Sequence, residues 1–210
     1  MHDKLEALYN KLYSHFGPQY WWPADTDFEV IVGAILTQNT NWGNVEKAIT
    51  NLKKAKVLSP RELNKISLKK LSRLITPAGF FNIKAKRLKE FLKFLFSNYG
   101  GHIERMLKED TLSLRVKLLA VNGIGPETAD SILLYALNKP IFVVDAYTKR
   151  IFSRHKFIQE GALYQDTQNL FMANLKKDVK LFNEYHALLV KLAKVYCLKS
   201  KPKCLACPLK

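Results

Sequence analysis

Apolar residues recur at helical spacing along almost the whole chain. Leu5, Leu8, Leu12 and Phe16 form a first stripe, which Gly17-Pro18 ends. Phe28 to Leu36 is a second apolar stretch, and Val45 to Leu52 continues helically after a polar break. Ser59-Pro60 opens a short helix, Ser67 caps another, and Pro77-Ala78-Gly79 interrupts the chain before a helix carrying Lys84, Lys86, Arg87, Lys89 and Lys93 among Leu88, Phe91, Leu92 and Leu95. The pattern predicts further helices over 112–120, 127–138, 145–155, 163–175 and 181–196. No alternating segment bounded by hairpin turns is present, so the reading is all-α, with no repeat of solenoid period and no low-complexity linker.

The 210 residues are 48% hydrophobic, enough for one substantial core or two small lobes. Thirty-four Lys and Arg against 18 Asp and Glu give a formal charge of +16. Such an excess favours a polyanionic partner, because every phosphate neutralised releases condensed counterions. A solubilising surface or a basic membrane-facing side would carry the same charge. No apolar run approaches the roughly 20 residues that span a bilayer, and the N-terminus shows no signal-peptide core, so the expected setting is cytoplasmic and nucleoid-associated.

The most informative local segment is Leu118-Leu-Ala-Val-Asn-Gly-Ile-Gly-Pro-Glu-Thr-Ala129. Gly123 and Gly125 bracket Ile124, and Pro126 suits the first position of the next helix, where its missing N–H costs nothing. Ile124 can turn inward while glycine backbone and helix-start N–H groups stay outward, an arrangement suited to a phosphate. A tight helix–helix turn would look the same. Such a grip positions DNA and reads no base.

Twenty residues beyond Gly125, behind Pro140-Ile-Phe-Val-Val144, stands Asp145, followed by Ala-Tyr-Thr-Lys-Arg150. Residues 118–150 together resemble the helix-hairpin-helix-Gly/Pro-Asp superfamily of DNA glycosylases. The resemblance implies that Asp145 is the active-site carboxylate. Breaking an N-glycosidic bond builds oxocarbenium character on the sugar, and a nearby anion stabilises it and can orient water. Asp145 can equally cap the helix that it opens. Lyase-active relatives of endonuclease III carry a lysine two residues after the second glycine, where it forms a Schiff base. Glu127 stands at that position. A carboxylate forms no imine, so the expectation is a monofunctional glycosylase using water. Glu127 suits a helix first turn and is also a candidate to hydrogen-bond the extruded base or its water. Lys149 is read as a phosphate contact.

Residues 20–42 resemble the bacterial 3-methyladenine DNA glycosylase III branch. There a Trp-Pro pair and an aromatic residue after a Gln-Asn-Thr segment line the base pocket, which implies Trp22, Pro23 and Trp42 here. A cationic alkylated purine stacks well on such faces, although tryptophan pairs are more often core. Gln38 matches the glutamine that fills the hole left by the flipped nucleotide in endonuclease III relatives, and Asn39 beside it joins the DNA-contacting set. A loop or capping role would suit that glutamine as well. Pro77 to Arg87 also resembles this branch, and backbone contact from its basic helix is a further expectation.

Cys197, Cys204 and Cys207 match the first three ligands of the iron–sulfur loop in many endonuclease III relatives. That resemblance implies a structural [4Fe–4S] cluster, whose fourth cysteine would fall three residues beyond Lys210. A longer chain, a non-protein fourth ligand, zinc or no metal at all remain open. Lys199, Lys201 and Lys203 beside the loop suit DNA backbone contact or a solvated rim.

The implied architecture is two helical lobes flanking a DNA-binding cleft. A six-helix barrel lobe spans 25–138 and contains the helix-hairpin-helix at about 112–138. Residues 1–24 join 139–210 in the second lobe, with the catalytic aspartate and the cysteine loop. The expected partner is damaged double-stranded DNA, bound by a monomer. The rivals are an endonuclease III-like enzyme for oxidised pyrimidines or mismatches and a non-catalytic helix-hairpin-helix DNA-binding protein.

Overall fold

The computed structural model describes all 210 residues and is helical without strands, as the apolar periodicity requires. In chain order the helices are α1 (His2–Phe16), α2 (Asp27–Leu36), α3 (Trp42–Lys54), α4 (Pro60–Lys65), α5 (Leu68–Leu74), α6 (Phe81–Tyr99), α7 (Ile103–Leu107), α8 (Thr111–Leu119), α9 (Pro126–Ser131), α10 (Ala146–Arg154), α11 (Tyr164–Asn174) and α12 (Val179–Val195). Their starts follow local chemistry. Thr26, Asn41, Ser59, Ser67, Asp110, Asp145 and Asp178 each accept a backbone N–H from the first turn that follows. No helix is long and apolar enough to cross a membrane.

The chain divides into two compact units, Ala24–Lys139 and Met1–Pro23 with Pro140–Lys210. In the first unit α2 is buried from Phe28 to Leu36, apolar but for Glu29, which pairs with Lys53 at 2.7 Å, and this makes it the central helix of that unit. It packs on α3, α6 and α9. A single helix over 127–138 is not what forms. After α9 the chain widens into a π-helical turn, Ile132–Ala136, and stops at Asn138 with a left-handed φ of 50°. Pro140 prevents continuation. Lys139 anchors the exit by donating to the carbonyls of Leu107 and Glu109.

The second unit packs α1 and α10 on α12, with α11 against α1. Its core is aromatic: Phe142 stacks on Phe171 with ring centroids 3.7 Å apart, and Phe182 and Tyr185 meet Phe142 edge-on. Ile141 to Val144 run extended and buried, so their backbone groups need partners other than water. Side chains supply them. The buried Gln168 donates to Phe142 O at 2.7 Å, and the Tyr164 hydroxyl accepts from Val144 N at 3.3 Å. Pinned in this way, the run delivers Asp145 to the start of α10.

Candidate active site and nucleic-acid interface

Asp145 is the N-cap of α10 in a structural sense and more than that in an electrostatic one. Its Oδ1 accepts from Thr148 N at 2.7 Å and from the Thr148 hydroxyl at 2.9 Å. Its Oδ2 lies 3.5 Å from Nε2 of His186, which α12 carries. Both side chains are largely enclosed, at 12% and 9% exposure. Burial pushes the carboxyl group up, yet the nearby His186 charge together with the two Thr148 bonds outweighs it, and Asp145 ends below the usual aspartate range. The carboxylate is therefore ionised at neutral pH. His186 was not anticipated, since a histidine in an apolar helix gives no sign of what its face meets.

In the same unit, Trp22 and Trp21 are half-buried with tilted rings 5.1 Å apart, and Pro23 is exposed. Lys149 donates to Ala162 O at 2.7 Å, so its ammonium serves as an internal staple in this state. Arg150 and Arg154 do the same for the C-terminal loop. Arg150 donates to Cys197 O, and Arg154 to Leu198 O, Lys199 O and, at 3.3 Å, Cys197 Sγ.

The three cysteines of that loop are free: Cys197 is buried, Cys207 half-buried and Cys204 exposed. Burial and the neighbouring thiols push the Cys207 thiol up. No three His, Cys, Asp or Glu side chains are gathered as a metal-holding group. The donor set present thus does not meet the four thiolates of a [4Fe–4S] cluster. What the loop does have is its arginine fastening to α10.

In the other unit the hairpin between α8 and α9 is built from the inside. Ile124 is 4% exposed and points inward, as its place between two glycines suggests. Gly123 has φ +87°, and a Cβ there would overlap Arg87, lying 2.8 Å from its Cδ. Gly125 has an ordinary φ of −90°, and a Cβ there would meet nothing within 4 Å. Its openness is directed at whatever approaches from outside. Glu127 follows in the exposed first turn of α9.

Gln38 is joined to this hairpin. Its amide donates to Gly123 O at 3.0 Å and to the Thr128 hydroxyl at 2.9 Å, while its Oε1 accepts from Arg87 Nη1. Both ends of the amide are engaged on the protein. Asn39, next in sequence, is exposed at a left-handed φ of 54°. Trp42 is the half-buried first residue of α3. The basic helix α6 also differs from a simple cationic face: the buried Lys84 donates to Ala78 O, and Lys89 donates to the carbonyls of Leu63, Asn64 and Ile66. Lys84 thereby holds the bend that presents Phe80, 67% exposed at φ 44°, a side chain the sequence reading passed over. The Gly-Phe-Phe turn ahead of a basic helix was the available signal.

The comparisons with known proteins agree with this construction. The model of the HhH-GPD superfamily base excision DNA repair protein matches residues 32–177. A Methanocaldococcus jannaschii chain, whose name assigns it provisionally to the DNA repair glycosylases, is 53% identical over 99% of this chain and 94% of its own length. Endonuclease III of Thermotoga maritima is 29% identical over 89% of this chain and 82% of its own. Among solved structures, the H. pylori 3-methyladenine DNA glycosylase bound to 1,N6-ethenoadenine superposes with a TM-score of 0.79 at 30% identity, covering 92% of this chain and 96% of that one. An endonuclease III–DNA complex superposes at 0.85 with 20% identity, a likeness of fold. With a family match across most of the chain and a relative more than half identical along nearly all of it, this chain belongs to the HhH-GPD superfamily of base excision DNA repair proteins.

Proposed function

We propose that the chain is a monofunctional DNA N-glycosylase that extrudes a damaged base, of the alkylated 3-methyladenine type, from duplex DNA and releases it by water attack. The observation that carries the reading is the state of Asp145: enclosed, ionised, one oxygen committed to the helix cap and the other turned to His186. A fixed anion of this kind stabilises an oxocarbenium ion without reorganising during the reaction. Trp22 with Pro23, and separately Trp42, are the candidates to stack on the base, and Glu127 bonds the base or the water. Gly123, Ile124 and Gly125 hold a phosphate. Asn39 meets the gap in the stack with Phe80 beside it at the duplex, and Gln38 joins them on release of its amide from Gly123 O and Thr128. Likeness to the H. pylori enzyme supports the alkylated-base assignment. A thiolate cluster has no part in bond cleavage, and Arg150 and Arg154 organise the loop.

The Thermotoga relative favours a second reading, an endonuclease III-type enzyme for oxidised pyrimidines. Glu127 opposes its lyase form, because no amine stands at that position to form an imine. Excision assays on duplexes carrying 3-methyladenine, thymine glycol or a mismatch separate the two. Release of the alkylated base alone, lost in Asp145→Asn, is the expected result. Efficient borohydride trapping on abasic DNA would overturn the monofunctional assignment. Unchanged excision by Asp145→Asn would overturn the assignment of the carboxylate.

A further inference from the structure

We propose that His186 is a positioning residue for Asp145: from α12 it holds the carboxylate in its ionised form and orients Oδ2 for the reaction, so the pair sets the acid limit of base excision. The inference rests on the reading of Asp145 as the catalytic carboxylate.

The geometry divides the labour between the two carboxylate oxygens. Oδ1 is committed to Thr148 through two bonds, which fix the carboxylate plane at the start of α10. Oδ2 is the oxygen left for the sugar or the water, and Nε2 of His186 is 3.5 Å from it. That separation is long for a hydrogen bond, so the coupling is chiefly one of charge. Enclosure makes such a coupling stronger than it would be in water. The direction of the Asp145 ionisation agrees, since burial alone would leave the carboxyl group protonated to higher pH.

The surrounding helices direct their own polar and charged groups elsewhere. On α12, the buried Tyr185 donates to Leu5 O at 2.9 Å, and Glu184 accepts from Gln19 N at 2.7 Å. On α10, Lys149 is held by Ala162 O, Arg150 by Cys197 O, and Arg154 by Leu198 O and Lys199 O. On α1, Tyr9 packs edge-on against Tyr185. Asp145 is the carboxylate within ion-pair reach of the imidazole. Protonated, Asp145 would offer no anion to the developing positive charge, so any group that lowers its proton affinity extends the active pH range downward.

The test is single-turnover base excision on an alkylated duplex, followed from neutral pH into the acid range, for wild type, His186→Asn and His186→Gln. Duplex binding and circular dichroism check the fold. The acid limb of either variant should move upward by about 1–3 pH units, a roughly tenfold to thousandfold loss at a pH on the limb. Superimposable limbs would overturn the proposal. So would loss of excision at every pH in a folded variant, because His186 would then take part in the bond-breaking step itself. If neither variant folds, carboxyl carbon NMR of wild type decides, with Asp145 assigned by its absence in Asp145→Asn. A carboxyl-carbon shift that also follows the titration of the His186 imidazole supports the pairing, and one blind to it refutes it. An active Asp145→Asn sinks the parent reading whatever His186 does; an inactive one with unshifted His186 variants sinks only this proposal.

Discussion

Alanine at the two hairpin glycines should produce opposite phenotypes. Gly123 sits at φ +87°, where a side chain is strained by about 1–2 kcal/mol. Its Cβ would also displace the inner carbons of Arg87, which cannot swing away as a side-chain tip can. Moving Arg87 weakens its bond to Gln38 Oε1, and with it the bracket from Gln38 to Gly123 O and Thr128. Together these make Gly123→Ala destabilising by about 2–4 kcal/mol, or roughly 4–16 °C in Tm for a chain of this size. Gly125→Ala meets open space at an ordinary φ, so its stability should be unchanged or raised by up to about 1 kcal/mol through the unfolded chain. Its added methyl stands where a phosphate would approach, so duplex affinity should fall by roughly 1–2 kcal/mol, about 5- to 30-fold in Kd. Thermal unfolding and fluorescence-anisotropy titration at fixed salt measure the two quantities. Wild-type affinity in a folded Gly125→Ala would refute the phosphate reading of the hairpin. A Tm for Gly123→Ala within a degree or two of wild type would refute the packing argument.

Four further outcomes follow from particular contacts. Arg115 makes a two-point pair with the fully buried Asp130 across α8 and α9, so Arg115→Ala should cost about 3–5 kcal/mol in chemical denaturation; a loss under 1 kcal/mol would mean that Asp130 finds other support. Because Asp145 is depressed in the folded protein, its contribution to stability is present above the ordinary aspartate value and fades as pH falls through the folded one. Asp145→Asn keeps a capping side chain, so its denaturation midpoint should fall less steeply than wild type on acidification, and equal slopes would contradict the shift. In the metal-free chain the exposed Cys204 should react quickly with a thiol reagent, Cys207, whose thiol is pushed up, more slowly, and the buried Cys197 slowest; Arg154→Ala should accelerate Cys197, and three equally fast thiols in wild type would count against the arginine fastening. Lys86→Ala should lower the salt slope of duplex binding by about one, whereas Lys89→Ala, which strips three carbonyls of their donor, should lower stability and leave the slope alone.

What the sequence made legible was what adjacent residues decide. Ser59 and Ser67 announce helices because a cap acts over three residues, and Ile124 between two glycines announces an inward side chain. Asp145 stands out through its distance from the hairpin and the apolar run ahead of it. His186 was not, because it meets Asp145 only through the packing of α12 on α10. The same limit hid the Arg87–Gln38–Gly123 bracket. Its three members lie on α6, in the turn after α2 and in the hairpin, and nothing in their spacing predicts that they meet. The two glycines also looked equivalent in sequence, whereas one is required by Arg87 and the other by no atom of the protein.

That asymmetry bears on how the +16 charge should be understood. Lys84, Lys89, Lys139, Lys149, Arg150 and Arg154 all direct their cations at backbone carbonyls of their own unit. Short helices and bends expose carbonyls that have no partner within the helix, and a long cationic side chain satisfies several of them at once. Lys89 does so at the end of α4, and Arg154 does so along the C-terminal loop. Removing such a group would leave buried acceptors unpaired, which costs more than a solvated cation would lose. A basic composition in this chain therefore serves two ends: part of it holds an all-helical fold of many short elements together, and only the exposed remainder, Lys86 among it, is free to meet a polyanion.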